Sequence, residues 1–215
     1  VQDNPRTLGQ SGHSSGKTFI DAAIGMTFLY LYPGCEVIAT SSSMWQIKNR
    51  LWHAVEQLFN KNRKRLGGGE LTATQLKLPH GKMSAVATKT PSNIQGGHEA
   101  HVLIIMDEAQ AVDKGIWEAA EGMMGGPHAR TLATFNPLWA GGPAHAATRK
   151  PLEWKTVRLS CMTHPNVVQR RKVIPNAVSY EWVEDRLKAW GPDSPLYISK
   201  VLGEFPETSE DTVVS

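Results

Sequence analysis

The eight residues Ser11-Gly12-His13-Ser14-Ser15-Gly16-Lys17-Thr18 constrain this chain more than any other segment. They end in the Gly-Lys-Thr of a phosphate-binding loop, with Ser11 where the strict pattern has its first glycine, so the loop is a variant Walker A motif. Such a loop aims successive backbone N–H groups and the N-terminus of the following helix at phosphate oxygens. Gly12 and Gly16 permit the turn and the close approach, Lys17 is suited to reach β- and γ-phosphates, and Thr18 offers a hydroxyl to Mg²⁺. The bland alternative is a Gly/Ser turn that happens to precede a lysine. Against it stands the context, a short strand around Arg6 to Gln10 before the loop and a helical stretch from Lys17 to about Tyr32 after it, stopped by Pro33-Gly34.

The same alternation continues. Glu36 to Thr40 is a short β-branched run, and Ser41-Ser42-Ser43 offers an N-cap to a long amphipathic helix in which Trp45, Lys48, Trp52, Val55 and Phe59 recur three or four residues apart. That helix runs into a cationic turn holding Lys61, Arg63, Lys64 and Arg65 and stops at Gly67-Gly68-Gly69. A β-rich stretch from Leu71 to Ala87 turns at Pro79-His80-Gly81 and leads through a loop, Pro91 to His98, to the apolar run Val102 to Met106. A helix over Ile116 to Met124, a strand over Arg130 to Thr134, a loop from Asn136 to Gly142, a strand near Trp154 to Leu159 and a helix near Ser179 to Trp190 follow. Buried strands alternating with helices predict an α/β fold, a three-layer P-loop NTPase with a mostly parallel central sheet.

Composition narrows the rest. With 215 residues, 40% of them hydrophobic and 20% charged, the chain is a globular protein able to bury a full core, and no apolar run reaches the 18 residues of a membrane span. No membrane partner is expected. Cys35 and Cys161 stand far apart without ligand spacing, which argues against a disulfide scaffold or structural zinc and fits a reducing cytosol. The chain starts at Val1 without a signal-peptide pattern, so an excised piece of a longer protein is expected. A formal net charge of +3 permits an anionic partner without demonstrating one.

Two further strands deliver polar groups. Val102 to Met106 ends in Asp107-Glu108-Ala109-Gln110, the form of a Walker B motif, at the strand edge where open parallel sheets bind ligands. There Asp107 would hold Mg²⁺ through water and Glu108 would orient and deprotonate the attacking water; taken alone, Asp-Glu after a strand is also a common helix cap. Leu132 to Pro137 is a second apolar strand ending in polar groups, where Thr134 and Asn136 stand ready to contact a γ-phosphate or the attacking water, although Asn-Pro by itself is ordinary turn chemistry.

These three elements, in this order and spacing, resemble the RecA-like (ASCE) ATPase domain of the large terminase subunit, the DNA-packaging motor of tailed bacteriophages and related prophages. Ala39 to Trp52 (ATSSSMWQIKNRLW), Ile94 to His98 (IQGGH) and Thr134 to Pro137, where the family has its coupling motif, extend the likeness. Ser194 to Pro206 (SPLYISKVLGEFP) resembles the segment that closes the family's ATPase domain, so residues 1–206 are expected to form that domain and 207–215 a linker toward a nuclease domain absent from this chain. Phe135 stands where many members have glycine, and His13 where some have an arginine that acts on the γ-phosphate in cis.

The resemblance implies hydrolysis of ATP to ADP and phosphate with Mg²⁺, driving double-stranded DNA into a procapsid, with no nuclease activity from this chain. It also implies other copies of the chain in a ring, a portal protein and a small terminase subunit as partners, in the cytoplasm of a bacterial host. Gln95 and His98 are further site candidates on resemblance alone. Arg149, beyond the Asn136 loop, is the choice for an arginine that completes a neighbouring subunit's site, ahead of Arg158 late in a strand and Arg130 at the start of one. Two alternatives remain open at this stage. A helicase-like nucleic-acid-dependent ATPase shares the Asp-Glu-Ala-Gln tetrad but needs a second motor domain, for which no length follows Pro137. A nucleotide-gated assembly protein has no use for Glu108. The cluster from Lys61 to Arg65 and the run Arg170-Arg171-Lys172 read either as DNA-tracking cations or as solvated helix ends. The eight histidines show no metal-ligand spacing, and the seven tryptophans read as core or helix-docking residues.

Overall fold

The computed structural model describes Val1, residues 3–86 and residues 99–207. Gln95 and His98, and the expected linker after Glu207, lie outside the described residues. Eight strands form one mixed sheet in the order β3-β4-β5-β2-β6-β7-β1-β8. They are β1 (Arg6–Ser11), β2 (Cys35–Thr40), β3 (Glu70–Leu71), β4 (Gln75–Leu78), β5 (Gly81–Ala85), β6 (His101–Asp107), β7 (Ala129–Phe135) and β8 (Lys155–Leu159). The chain divides into two compact units, one of Val1–Thr7 with Thr18–Thr134, the other of Leu8–Lys17 with Phe135–Ser215.

In the first unit β2 pairs in parallel with both β5 and β6, and β6 with β7, while β3, β4 and β5 form antiparallel pairs at one side. Every residue of β2, and all of β6 after His101, is buried. A strand covered on both faces has no polar alternation, which is why these segments read as continuous apolar runs. One face of the strands, carrying Val37, Ala39, Leu103 and Ile105, packs in a core with Ala22, Met26 and Leu29 of helix α1 (Lys17–Leu31). Gly25 makes that approach possible: a Cβ there would stand 3.1 Å from Ile105 Cδ1 and 3.2 Å from Met83 Cε.

The long helix expected after Ser43 is present but is not uniform. Helix α2 (Met44–Gln46), capped by the Ser43 side chain, passes into a π-helical segment, Ile47–Trp52, and then into α3 (His53–Asn62). A π segment takes more residues per turn than an α-helix and so rotates the stripe. Ile47, Leu51, Trp52, Val55 and Phe59 are buried, whereas Trp45 is 65% exposed and Lys48 is exposed as well. The expected stripe therefore loses its first two members. Trp45 and Trp139 are exceptions to the reading of the tryptophans as packing residues.

The second unit holds the loop after β1, strand β8 and short helices around a small core of Cys161, Val167, Val178, Val183, Tyr197 and Val201. Its helices are α5 (Gly142–Thr148), α6 (Pro165–Val168), α7 (Tyr180–Trp190) and α8 (Pro195–Tyr197), the last continuing as a π-helical turn over Ile198–Leu202; α4 (Lys114–Met123) belongs to the first unit. Asn166, almost fully buried, organises the segment before α7. Its amide donates to the carbonyls of Ile174 and Val178, and its oxygen accepts from the N–H groups of Val173 and Ile174.

The π-helical rotation is directly testable. Trp52, 1% exposed, also donates its indole N–H to the Thr72 carbonyl at 2.7 Å. Trp52→Ala is expected to cost about 3–5 kcal/mol in chemical denaturation, and Trp45→Ala less than about 0.5 kcal/mol. A uniform α-helical stripe would make both costly.

Candidate nucleotide-binding site

In the second unit the loop from Ser11 to Lys17 is clamped at both ends by Asn136, directly after β7. The Asn136 amide donates to the Ser11 carbonyl at 2.7 Å, and its oxygen accepts from Lys17 Nζ at 2.9 Å. Lys17 is 7% exposed and Asn136 equally buried, so the ammonium is held out of water against an amide dipole. Removing a charge from water is costly unless such polar groups meet it. Ser11 itself closes β1, its hydroxyl turned to the Phe135 carbonyl at 3.4 Å.

The first limb of the loop is tied down by its own unit. The N–H of Gly12 donates to Leu159 O at 2.9 Å and that of His13 to Lys200 O at 2.6 Å, while the Ser14 carbonyl accepts from Val178 N at 3.0 Å. These bonds commit the first two N–H groups, so a phosphate would draw on donors from Ser14 onward. Left-handed backbone at Ser14 (φ 53°) and Gly16 (φ 89°) curls the second limb, and a concave run of successive N–H groups is the geometry that cradles anions. The buried Ser15 hydroxyl has no hydrogen-bond partner among the described residues, as expected of a group built to meet a ligand. Beneath the loop Cys161 is a packing residue. Burial pushes its thiol up to about 11, and it donates weakly to the His13 carbonyl at 3.3 Å.

The first unit holds a cluster of its own, at the C-terminal ends of β6 and β7 and the first turn of α1. Register pairs Asp107 with Thr134. Thr18 Oγ1 lies 3.3 and 3.2 Å from the two oxygens of Asp107, a carboxylate with no solvent exposure that also accepts from the Glu108 N–H at 3.1 Å. One turn along α1, Asp21 accepts from Thr134 Oγ1 at 2.5 Å. A hydroxyl and an ionisable carboxylate set face to face are hard oxygen donors of the kind Mg²⁺ takes, so Thr18 and Asp107 fit that ion. Glu108 sits in left-handed backbone (φ 53°), which turns the chain sharply off the strand, and its carboxylate lies 3.7 Å from Arg50.

Of the residues singled out in the sequence, Ser11, Lys17 and Asn136 are brought together in one unit, and Thr18, Asp107, Glu108 and Thr134 in the other. Gly12, His13, Ser14, Ser15 and Gly16 lie in the turn between β1 and α1. Arg149 is exposed at the C-terminal end of α5, outside the hydrogen bonds around Lys17 and Asn136. Arg158 is ion-paired with Glu204. Sequence reasoning assigned no role to Asp21 or Arg50. Arg50 lies inside a stretch already noted for its likeness, and Asp21, three residues after Thr18, shares a helix face with it; that spacing was the available signal.

The eight-stranded, mostly parallel sheet with its helices is a P-loop fold. No protein-family model matches the sequence. A probable terminase large subunit of Enterobacteria phage P7 is 24% identical over 228 residues, and the match takes in 97% of this chain but only 44% of that protein. The chain thus spans less than half the length of this curated relative. Among solved structures, the large terminase ATPase domain of Thermus phage P74-26 superposes with a TM-score of 0.68 at 16% identity, covering 94% of this chain and 89% of that one. The large terminase of another, thermophilic bacteriophage gives a TM-score of 0.72 at 11% identity, over 95% of this chain and 49% of its own. Its ADP complex gives 0.67 at 11% identity, over 94% and 48%. The fold is that of large-terminase ATPase domains, RecA-like, and the sequence resembles a terminase large subunit along nearly its whole length.

The tight seat of Gly12 yields a test. A Cβ at this position would stand 2.6 Å from Cys161 Sγ and 2.8 Å from Val201 O. Gly12→Ala is expected to lower stability by about 1–3 kcal/mol in urea titration. Substituting Cys161→Ala in addition should recover only part of that, because the carbonyl remains.

Proposed function

We propose that this chain is the motor domain of a terminase large subunit, hydrolysing Mg-ATP to ADP and phosphate to move double-stranded DNA into a procapsid. The observation that carries the reading is the Thr18 hydroxyl set against the fully buried Asp107 carboxylate at the end of the apolar strand β6. Lys17 and Thr18 are consecutive residues, so the phosphate-binding and carboxylate clusters are joined by one peptide bond. The thermophilic phage terminase of the same fold, solved in complex with ADP and with ATP-gamma-S, supports nucleotide as the ligand.

In this reading Lys17 leaves Asn136 for the β- and γ-phosphate oxygens, and the N–H groups from Ser14 to Thr18 cradle them. Bound by Thr18 and, through water, Asp107, Mg²⁺ would neutralise charge developing on the phosphates. Glu108 accepts a proton from the attacking water as its oxygen bonds to the γ-phosphorus and the bond to the bridging oxygen of ADP breaks. The 3.7 Å ion pair with Arg50 holds that carboxylate before substrate arrives. Thr134, bonded to Asp21, and Asn136, bonded to Lys17, would in this reading register whether the γ-phosphate is intact. In this reading residues 1–206 are the ATPase domain, with other copies in a ring, a portal protein and a small subunit as its partners in the host cytoplasm. No helix among the described residues is long and apolar enough to cross a membrane.

Glu108→Gln should bind Mg-ATP with wild-type affinity and hydrolyse it at least ~100-fold more slowly, the scale of losing a general base. Lys17→Ala should weaken binding and turnover together. Equal turnover in wild type and Glu108→Gln, followed by phosphate release, removes Glu108 from the chemistry.

Arg149, exposed, is the residue proposed to complete a neighbour's site. Such an arginine is worth about 10³ to 10⁵ in turnover, so the rate per chain should climb with protein concentration in wild type and stay flat in Arg149→Ala. Full activity in dilute monomer contradicts that role.

A further inference from the structure

The loop residue His13 belongs to a closed circuit of contacts that the proposed chemistry leaves unused. Its exposed imidazole stacks on the indole of Trp182 in α7, centroids 6.1 Å apart and planes within 23°. The Arg186 guanidinium, one turn along α7, lies 6.0 Å from the Trp182 ring and 5.1 Å from that of Trp190. The two indoles meet edge to face at 6.1 Å. Lys200 Nζ stands over the other end of the series, 5.8 Å from the Trp190 ring, while its own carbonyl accepts the His13 N–H at 2.6 Å. His13 is thus gripped twice, through its backbone by Lys200 and through its side chain by Trp182, and the two grips are connected through Trp190 and Arg186.

We propose that Trp182 is a positioning residue for the phosphate-binding loop, stacking on His13 so that α7 holds the first limb of the loop and, through it, the left-handed turn at Ser14 from which the phosphate-receiving limb begins. The inference rests on the nucleotide-binding reading above. Ser14, next to His13, is already in left-handed backbone, and its carbonyl accepts from the Val178 N–H. A non-glycine residue in that region costs free energy and persists only where its surroundings impose it. The His13–Trp182 stack lies immediately beside that residue. Arg186 is suited to keep the indole in place, since its Nε is buried without a hydrogen-bond acceptor among the described residues and its guanidinium interacts instead with the two ring faces.

The test is a thermodynamic cycle on Mg-ATP-γ-S binding, measured calorimetrically, with melting curves recorded for every variant. Trp182→Leu keeps apolar bulk without an aromatic face, Trp182→Phe keeps a ring, and His13→Ala removes the partner. Trp182→Leu and His13→Ala should each weaken binding by roughly 3- to 10-fold, the range an aromatic pair is worth, and Trp182→Phe should stay within about twofold of wild type. The double variant His13→Ala/Trp182→Leu should bind no more weakly than the poorer single variant, since both remove the same contact. A merely structural role for Trp182 predicts instead that Leu and Phe lower the melting temperature alike and that the losses from the two sites multiply. Multiplied losses, or wild-type affinity in Trp182→Leu, overturn the positioning role while leaving nucleotide binding intact. Wild type that fails to bind Mg-ATP-γ-S overturns the nucleotide reading itself, and this inference with it.

Discussion

A carboxylate with no exposure to solvent, Asp107, ends strand β6, which is buried throughout after His101, and neighbouring groups are arranged to tolerate it. An isolated ionised group in such a place is unfavourable by several kcal/mol even after the protein relaxes. It is met by the Thr18 hydroxyl on both oxygens and by the N–H of Glu108. Each partner has a structural consequence. Thr18 requires that α1 begin beside the end of β6, which the close approach at Gly25 permits. The Glu108 N–H requires a sharp departure from the strand, and the backbone there is left-handed. A protein with no ligand for this carboxylate would gain by replacing it with an apolar residue. In the proposed reading, this buried acid is the local feature that favours a cation beside it.

The buried ammonium of Lys17 presents the same logic with the opposite sign. Asn136 satisfies it while bracing the start of the loop through the Ser11 carbonyl, so one amide fixes both ends of a segment that is otherwise two serines, two glycines and a histidine. In the proposed reading a phosphate takes over this ammonium and releases Asn136. The loop's response to its ligand then begins with a hydrogen bond already present. The N–H groups of Gly12 and His13, committed to Leu159 and Lys200, tie the same loop to the rest of its own unit.

Much of this was legible in the sequence because strong, local rules wrote it. The glycine spacing and terminal Lys-Thr of the loop, the apolar run of β6 ending in Asp107-Glu108, and the strand-helix alternation each follow from conformational freedom or burial period. The π-helical segment was not legible, since nothing in Ile47–Trp52 distinguishes five-residue from four-residue hydrogen bonding, and its effect on Trp45 appears only when the helix meets its core. Helices α5, α6 and α8 are too short for a periodic signal. The pairing of Asp21 with Thr134, of Arg50 with Glu108 and of His13 with Trp182 depends on tertiary contacts between segments far apart in the chain. Such pairings have no local sequence signature.

The central claim is that Lys17, Thr18 and Asp107 are held in wait for one Mg-nucleotide. A crystal structure of this chain grown with Mg-ATP-γ-S tests it most directly. The account predicts Lys17 Nζ on the phosphate oxygens and no longer on Asn136, with a metal ion bound by Thr18 and, through water, by Asp107. Nucleotide seated elsewhere, or Lys17 still on Asn136 with Thr18 still on Asp107 in a crystal that contains bound nucleotide, would contradict it.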